Sequence, residues 1–319
     1  MKTNLQLVSE CDSFPYPSTD LHAYSALLST YYQFKHKNYT LGYLLPEVVD
    51  FLEGEYAPPV WRINHEDRTV NLIETDGGVE GVEQRSKMLA ATVYDSWRAE
   101  GRFEVLKGWR DELYPVYAPR GQLLFNIERA ASALFGVVTY GVHLTAYVRS
   151  NDGIKIWVPR RARNKQTYGG MLDNTVAGGI STGEEPFETL IREAEEEASL
   201  PETIVREGAV ACGTVTYFHI RDERAGGETG LLQPECQYIY DLELPDGVKP
   251  APCDEEVEEF YLWDVAQVQE ALHKAEFKPN CALVLLDFFI RHGILTAANE
   301  SDLIEIVSRL HRRLEFPTA

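Results

Sequence analysis

Six consecutive positions, Arg192 to Glu197, hold one arginine and four glutamates. On a helix, Glu193, Glu196 and Glu197 fall at i, i+3 and i+4, so their carboxylates converge within one turn. Leu190, Ile191, Ala194 and Ala198 form the opposing apolar face that would anchor such a helix to a core. Carboxylates held this close repel one another unless a cation sits among them. Their hard oxygens suit Mg2+ or Mn2+, and Mg2+ normally bridges to substrate phosphate. A solvated helix face shares this composition, so the run by itself leaves both readings open. Arg192 lies four residues before Glu196, placed to pair with Glu184 or with the acidic cluster.

The elements around the run decide how it can be positioned. The preceding residues are AGGISTGEEPFETLI. Gly178 and Gly179 close a short strand, VAGG, and Gly183 permits a turn that side chains would block. Pro186 opens the helix, which runs to about Leu200. Upstream, HLTAYV and IKIWVPRRA are strand-like around the turn RSNDG, and the loop NKQTYGGMLDNT follows. Downstream, VACGTVTYFHI, QYIYDLEL and EEFYLW read as three more strands from their β-branched and aromatic content. Asp264 is an N-cap with Gln267 three residues on, so a helix runs from about Val265 to Lys274. CALVLLDFFIRHG is a nearly wholly buried helix, and Asp302–Leu314 carries the stripe Leu303, Val307, Leu310, Leu314. The first 135 residues read as a separate small α+β domain. Within it, apolar stripes predict helices from Leu21 to Phe34 and from Val82 to Trp97. YTLGYLLPEVVDFLEGE is a strand and a helix, with Pro46 in the first helical turn. Trp61–Ile63 and Thr69–Leu72 form a hairpin. The expected division is 1–135, 136–293, and a C-terminal helical segment, 294–319.

The chain has 319 residues, 44% hydrophobic and 25% charged, with 50 acidic against 30 basic side chains and a formal charge of −20. Such an acidic surface repels nucleic-acid phosphate. No apolar run approaches the length of a membrane span. The N-terminus lacks the layout of a secretion or transit signal. Five cysteines without a CxxC spacing suggest reduced thiols and a cytoplasmic setting.

GGISTGEEPFETLIREAEEEASL resembles the Nudix box, GX5EX7REUXEEXGU, where U is a bulky aliphatic residue. Gly178 is the first glycine, then come Glu184, Arg192-Glu193 and Glu196-Glu197. Ala194 stands where the pattern has a bulky aliphatic residue, and Ser199 where it has a glycine. The resemblance implies an α/β/α sandwich and an α+β chain overall, hydrolysis of a diphosphate linked to another group, and a divalent metal, Mg2+ or Mn2+. It implies that Glu193, Glu196 and Glu197 hold the metal, with Glu184 pairing with Arg192 or supporting a second ion. Gly178 and Gly179 would lie beside the substrate. The general base would be Glu197 or a loop acid in DEEVEE, from Asp254, Glu255 and Glu256, with Glu255 the one chosen. FKPNCALVLLDFFIRHG and the N-terminal region with LGYLLPEVV and WRINHEDRTVNL resemble a fungal and plant branch of the family. That branch hydrolyses damaged thiamine diphosphate, such as oxothiamine and oxythiamine diphosphate, and is related to the Nudix part of thiamine pyrophosphokinase fusions. Many relatives dimerise, so a homodimer is an expectation too.

A pocket for such a substrate needs donors and flat walls. Lys278, Asn280 and Gln237 are candidate donors toward a substrate carbonyl. Tyr168, Tyr140 and Phe218 are candidate aromatic walls. His143, His219 and His292 lie in apolar segments and read as structural. No GXSXG motif points to a serine hydrolase. Cys281, inside an apolar helix, reads as an inert buried thiol.

Overall fold

The computed structural model describes residues 1–54, 57–73, 79–253 and 255–319, with only the backbone of residues 79 and 80. The chain divides into two compact units. One gathers Ser13–Thr139, Phe218–Glu235 and Leu314–Ala319. The other gathers Met1–Asp12, Tyr140–Tyr217 and Cys236–Arg313.

The chain opens with helices α1 (Asn4–Cys11) and α2 (Leu21–Leu28). In α1 the Thr3 hydroxyl accepts the Gln6 amide while the Gln6 side chain accepts the Thr3 amide, a complete capping box. The helix predicted over Leu21–Phe34 ends early, and Tyr32–His36 is strand β1 instead. The hydroxyls of Ser29 and Thr30 donate back to the carbonyls of Ala26 and Leu27, both at 2.7 Å, and close the last turn. The aromatic run Tyr31-Tyr32-Gln33-Phe34 then favours a pleated surface, with Phe34 wholly buried.

Next come β2 (Tyr39–Leu44), α3 (Pro46–Leu52), β3 (Trp61–Asn64) and β4 (Thr69–Leu72). They form a four-stranded sheet in the order β2-β1-β4-β3, with β1 and β4 parallel. The expected hairpin is β3–β4, one residue longer at Asn64. Helix α4 (Val79–Ala90) passes directly into an eight-residue π-helix, Ala91–Arg98, where the spacing of Leu89, Val93 and Trp97 had predicted one continuous α-helix. Strands β5 (Leu113–Ala118) and β6 (Gln122–Glu128) pair antiparallel, and the short helix α5 (Ser132–Phe135) ends in left-handed Gly136. The core of this unit is aromatic: Trp97 stacks on Phe135 at 5.6 Å, and Phe34 packs on both Phe125 and Phe135.

The second unit carries β7 (Thr139–Ser150), β8 (Gly153–Arg161), β9 (Val176–Gly179), α6 (Pro186–Ala198), α7 (Glu202–Gly208), β10 (Val210–Ile220), β11 (Leu232–Glu243), β12 (Val257–Asp264), α8 (Val265–His273), α9 (Pro279–Arg291) and α10 (Leu303–Leu310). Its sheet runs β10-β11-β7-β8-β12, with β9 paired antiparallel to β7. The capping box Asp264–Gln267 starts α8 as its spacing predicts. Helix α9 is buried continuously from Pro279 to Phe289. The C-terminal helix does pack, through Ile306 and Leu310 rather than the wider stripe. It is also pinned by charge. Buried Asp12 receives Arg309 at 3.2 Å and Arg312 at 3.1 Å. Among the described residues no helix is long and apolar enough to cross a membrane.

Candidate active site

Strand β9 and helix α6 set the stage. Gly178 sits opposite Val142 and Gly179 opposite Gly141 in the β7–β9 ladder. A Cβ on Gly178 would lie 2.1 Å from Cδ of Glu193, so only glycine lets that carboxylate approach the strand. Gly183 turns the chain at φ +88°, and Pro186 fills the first turn of α6. The buried face of α6 is Thr189, Leu190, Ile191, Ala194, Glu197 and Ala198. Ser199, in place of the expected glycine, adopts a left-handed conformation at φ 52°, and the helix ends with the Leu200 amide bonded to the Ala194 carbonyl.

The carboxylates divide into three environments. Glu195 is exposed, as expected of solvated charge. Glu184, Glu193 and Glu196 all reach Arg192, which holds Glu184 through Nε and Nη2 at 3.2 and 3.1 Å and reaches Glu193 and Glu196 at 3.0 Å. Burial works to raise the Glu184 carboxyl, but hydrogen bonds from Arg192 and Thr189 hold it below its ordinary value. Glu197 is the odd member. It is buried, accepts the Ala177 amide at 3.0 Å, and is pushed up to about 8 by burial and then by the negative charge of Glu193. A carboxyl strained in this way is the one a cation would relieve.

Glu197 opens on a narrow polar crevice that also includes Arg161, Lys165, Asp173, Asn174 and Glu256. Lys165 pairs with Glu256, and Arg161 with Asp173. Burial works to raise Asp173, yet the charges of Arg161 and Lys278 hold it well below the carboxylate range. Of the DEEVEE acids, Asp254 lies outside the described residues. Glu255 is an exposed turn residue, and Glu256 is the acid that lies at the crevice. The Glu256 carbonyl accepts the Ala162 amide at 2.9 Å, just past the end of β8.

The candidate substrate residues fall into linked groups. The Lys278 ammonium lies 5.9 Å from the ring centroid of Tyr168, which is itself held at φ 51°. Gln237 is buried. Its amide donates to the Tyr217 hydroxyl at 3.2 Å, and its Oε1 stands where a Cβ on Gly141 would be. His143, beside it, bonds Asn174 at 2.8 Å and is held down at about 4 by burial and then by Lys278, as befits a structural histidine. Asn280 is buried on α9 and accepts from the Cys281 thiol at 3.4 Å. The Cys281 thiol also donates to Asp173 at 2.6 Å and is raised by burial, so it is inert. Tyr140 and Phe218 are both buried, and Phe218 stacks on Phe14 at 4.3 Å as a core aromatic of the first unit.

Residues 139–281 match the family model described as the NUDIX domain, and residues 6–139 match a domain of unknown function, DUF4743. An uncharacterised protein of Saccharomyces cerevisiae is 35% identical over 90% of this chain and 85% of its own length. Residues 139–281 of the chain form a Nudix domain. Nudix hydrolase 20 of Arabidopsis thaliana, named as chloroplastic, is 34% identical over 77% of this chain, which spans 63% of that protein's length. A crystal structure of a Deinococcus radiodurans protein covers 63% of the chain at 20% identity with a TM-score of 0.38. The Nudix domain and the Nudix hydrolase relatives support a diphosphate hydrolase.

The Nudix helix offers metal-suited donors but not a closed cage. Among the described residues no three His, Cys, Asp or Glu side chains already converge for an ion. The Arg192 guanidinium lies between Glu193 and Glu196, 3.0 Å from each. The oxygen-only donor set and the raised Glu197 carboxyl fit a hard divalent ion. Sequence reasoning missed Lys165, Arg161 and Asp173. A charged pair formed by Arg161 at the end of β8 and Asp173 in the segment before β9 carries no spacing that would reveal it, and Lys165 stood unremarked in NKQT.

Proposed function

We propose that the chain is a Mg2+-dependent pyrophosphatase that converts damaged thiamine diphosphate, oxothiamine or oxythiamine diphosphate, to the monophosphate plus phosphate. The observation that carries the reading is the buried Nudix-helix acid Glu197, which opens on a polar crevice shared with Lys165 and Glu256. Glu193, Glu196 and Glu197 would hold the ion, and when bound it would neutralise the diphosphate oxygens. The protein's own groups divide the remaining work. Water forms the new P–O bond, the bridging anhydride bond breaks, and the water proton passes to a carboxylate. Glu256 is the loop acid assigned to that proton, with Lys165 orienting it. Substrate choice rests on Gln237, Lys278 and Asn280 as donors and Tyr168 as a wall. A buried donor facing the oxythiamine carbonyl would meet the normal amine with a second donor, a mismatch that separates damaged from intact cofactor. Gly178 and Gly179 keep the strand edge bare beside the substrate.

The test is phosphate release with Mg2+ from oxythiamine diphosphate, thiamine diphosphate and ADP-ribose, with Glu196→Gln as control. Rapid release of one phosphate from oxythiamine diphosphate, lost in the variant, supports the reading. Faster cleavage of ADP-ribose keeps the Nudix chemistry and removes the thiamine assignment.

A further inference from the structure

The loop between β8 and β9 brings Lys165 to the crevice at Glu197, where it pairs with Glu256. The loop's own backbone fixes it only weakly. Two amide bonds lie inside it, from Lys165 to the Ala162 carbonyl at 3.2 Å and from Met171 to the Tyr168 carbonyl at 3.3 Å, both at the long end for such bonds. Yet the loop is tightly wound. A Cβ on Gly169 would stand 2.5 Å from the Arg163 carbonyl oxygen, and Tyr168 is left-handed at φ 51°. A bulky residue keeps that conformation where its surroundings impose it.

A buried side chain supplies the missing support. Arg161, the last residue of β8, is 8% exposed. Its Nη2 donates to the Thr167 carbonyl at 3.2 Å, close along the chain to Lys165, and its Nη1 donates to Asp173. Its backbone amide closes the loop by donating to the Met171 carbonyl at 2.9 Å. Arg160 supports the far end through the Gly170 carbonyl at 2.8 Å. Asp173 is itself held, since its Oδ1 accepts the Asn174 amide at 2.9 Å and the Cys281 thiol at 2.6 Å. Bonds therefore run from α9 through Asp173 and Arg161 to the middle of the loop. Stability alone does not account for this pair. A buried ion pair adds little over apolar residues of similar volume. Arg161 also keeps its Nε buried with no hydrogen-bond partner among the described residues, a further cost. What the planar fork does, and an apolar residue does not, is hold a carboxylate and a loop carbonyl at once.

We propose that Arg161, anchored by Asp173, is a positioning residue for the hydrolysis: it fixes the loop that brings Lys165 to Glu256. This rests on the assignment of the Lys165–Glu256 pair given above, and it holds whichever diphosphate is the substrate.

Arg161→Lys is the informative variant, because it keeps a cation for buried Asp173 and loses the fork that reaches Thr167. Amide hydrogen exchange on the full chain would follow residues 162–171. Phosphate release would be measured at saturation on whichever of oxythiamine diphosphate, thiamine diphosphate and ADP-ribose is cleaved fastest, in Arg161→Lys, in Lys165→Met and in the double variant. The expected result has three parts. Loop exchange in Arg161→Lys is faster by about tenfold or more, with α6 and α9 unchanged. Its kcat falls by about tenfold or more. Added to Lys165→Met, the same substitution costs less than about twofold further, because its effect passes through Lys165. Unchanged loop exchange overturns the proposal, even where none of the three diphosphates is cleaved. Faster exchange throughout α6 and α9 overturns it too, since Arg161 would then serve the whole fold. Losses that multiply in the double variant overturn it alone and leave the Lys165–Glu256 assignment standing. No loss in Lys165→Met overturns both.

Discussion

Gly178→Ala tests the placement of Glu193 with a single methyl group. The new Cβ would stand 2.1 Å from Cδ and 2.4 Å from Cγ of Glu193. Ordinary contact begins near 3.4 Å, so the carboxyl must retreat by 3.4 − 2.1, about 1.3 Å. The backbone of Gly178 is not left-handed, so alanine is tolerated by the strand itself, and the atoms in the way belong to the far end of a flexible side chain. Stability should therefore change by no more than about 1–3 kcal/mol, the range for mild overpacking. Activity should suffer much more. A ligand to Mg2+ works within a few tenths of an ångström, and a displacement of about 1 Å costs on the order of 100-fold in rate. Phosphate release across a Mg2+ titration, with thermal unfolding beside it, measures both effects. The expected outcome is a folded protein, a rate reduced about 100-fold, and a raised Mg2+ requirement. A folded variant with a rate within twofold of the original would show that Glu193 is no metal ligand, and the reasoning would fail.

Other perturbations should separate structure from chemistry. Asp12→Ala strands Arg312, which is only 3% exposed, and should cost about 3–5 kcal/mol in urea unfolding. Ser199→Gly relieves a left-handed serine and should stabilise the fold by about 1 kcal/mol, read as a rise in Tm; a fall would mean the cap is held by something the backbone angles do not reveal. His143, ordinarily near 6.5, titrates near 4 in the folded chain. As pH falls, the unfolded chain therefore takes up its proton first, and stability present above 6.5 drains away between 6.5 and 4. The loss is about 3 kcal/mol on 1.36 kcal/mol per unit. His143→Gln should flatten that part of the stability profile, and an unchanged slope would assign it to other groups. Glu256→Gln should slow phosphate release by about 100–10,000-fold if Glu256 takes the water proton, whereas Glu255→Gln should leave it nearly unchanged.

The chemistry-bearing helix was legible because its information is local. The prolines at helix starts and the Asp264 capping box act within a few residues, and each stands where its spacing placed it. Glu193, Glu196 and Glu197 do share α6, but among the described residues their carboxylates do not converge as the spacing predicts, because Arg192 holds the first two and Glu197 turns inward to the Ala177 amide. The failures share a cause as well. The stripe from Leu21 to Phe34 fits a helix, but Ser29 and Thr30 close it early and the aromatic core claims Phe34 for a strand. The π-helix keeps the spacing of Val93 and Trp97 while changing its backbone bonds, which no periodicity distinguishes. The crevice unites Arg161 and Lys165 with Asp173, Glu197 and Glu256 from four stretches of chain, and only the fold can say that Glu256, not Glu255, is among them.

Arg192 gives the enzyme a built-in counterion. With its guanidinium shared among Glu184, Glu193 and Glu196, one positive charge offsets part of the repulsion among three carboxylates. The charge that stands between these acids is thus covalently part of the same helix, and the fold does not depend on an outside cation to reach its native shape at this turn. Were a divalent ion to bind Glu193 and Glu196 as proposed, its loading would be an exchange with the guanidinium rather than entry into an open trap.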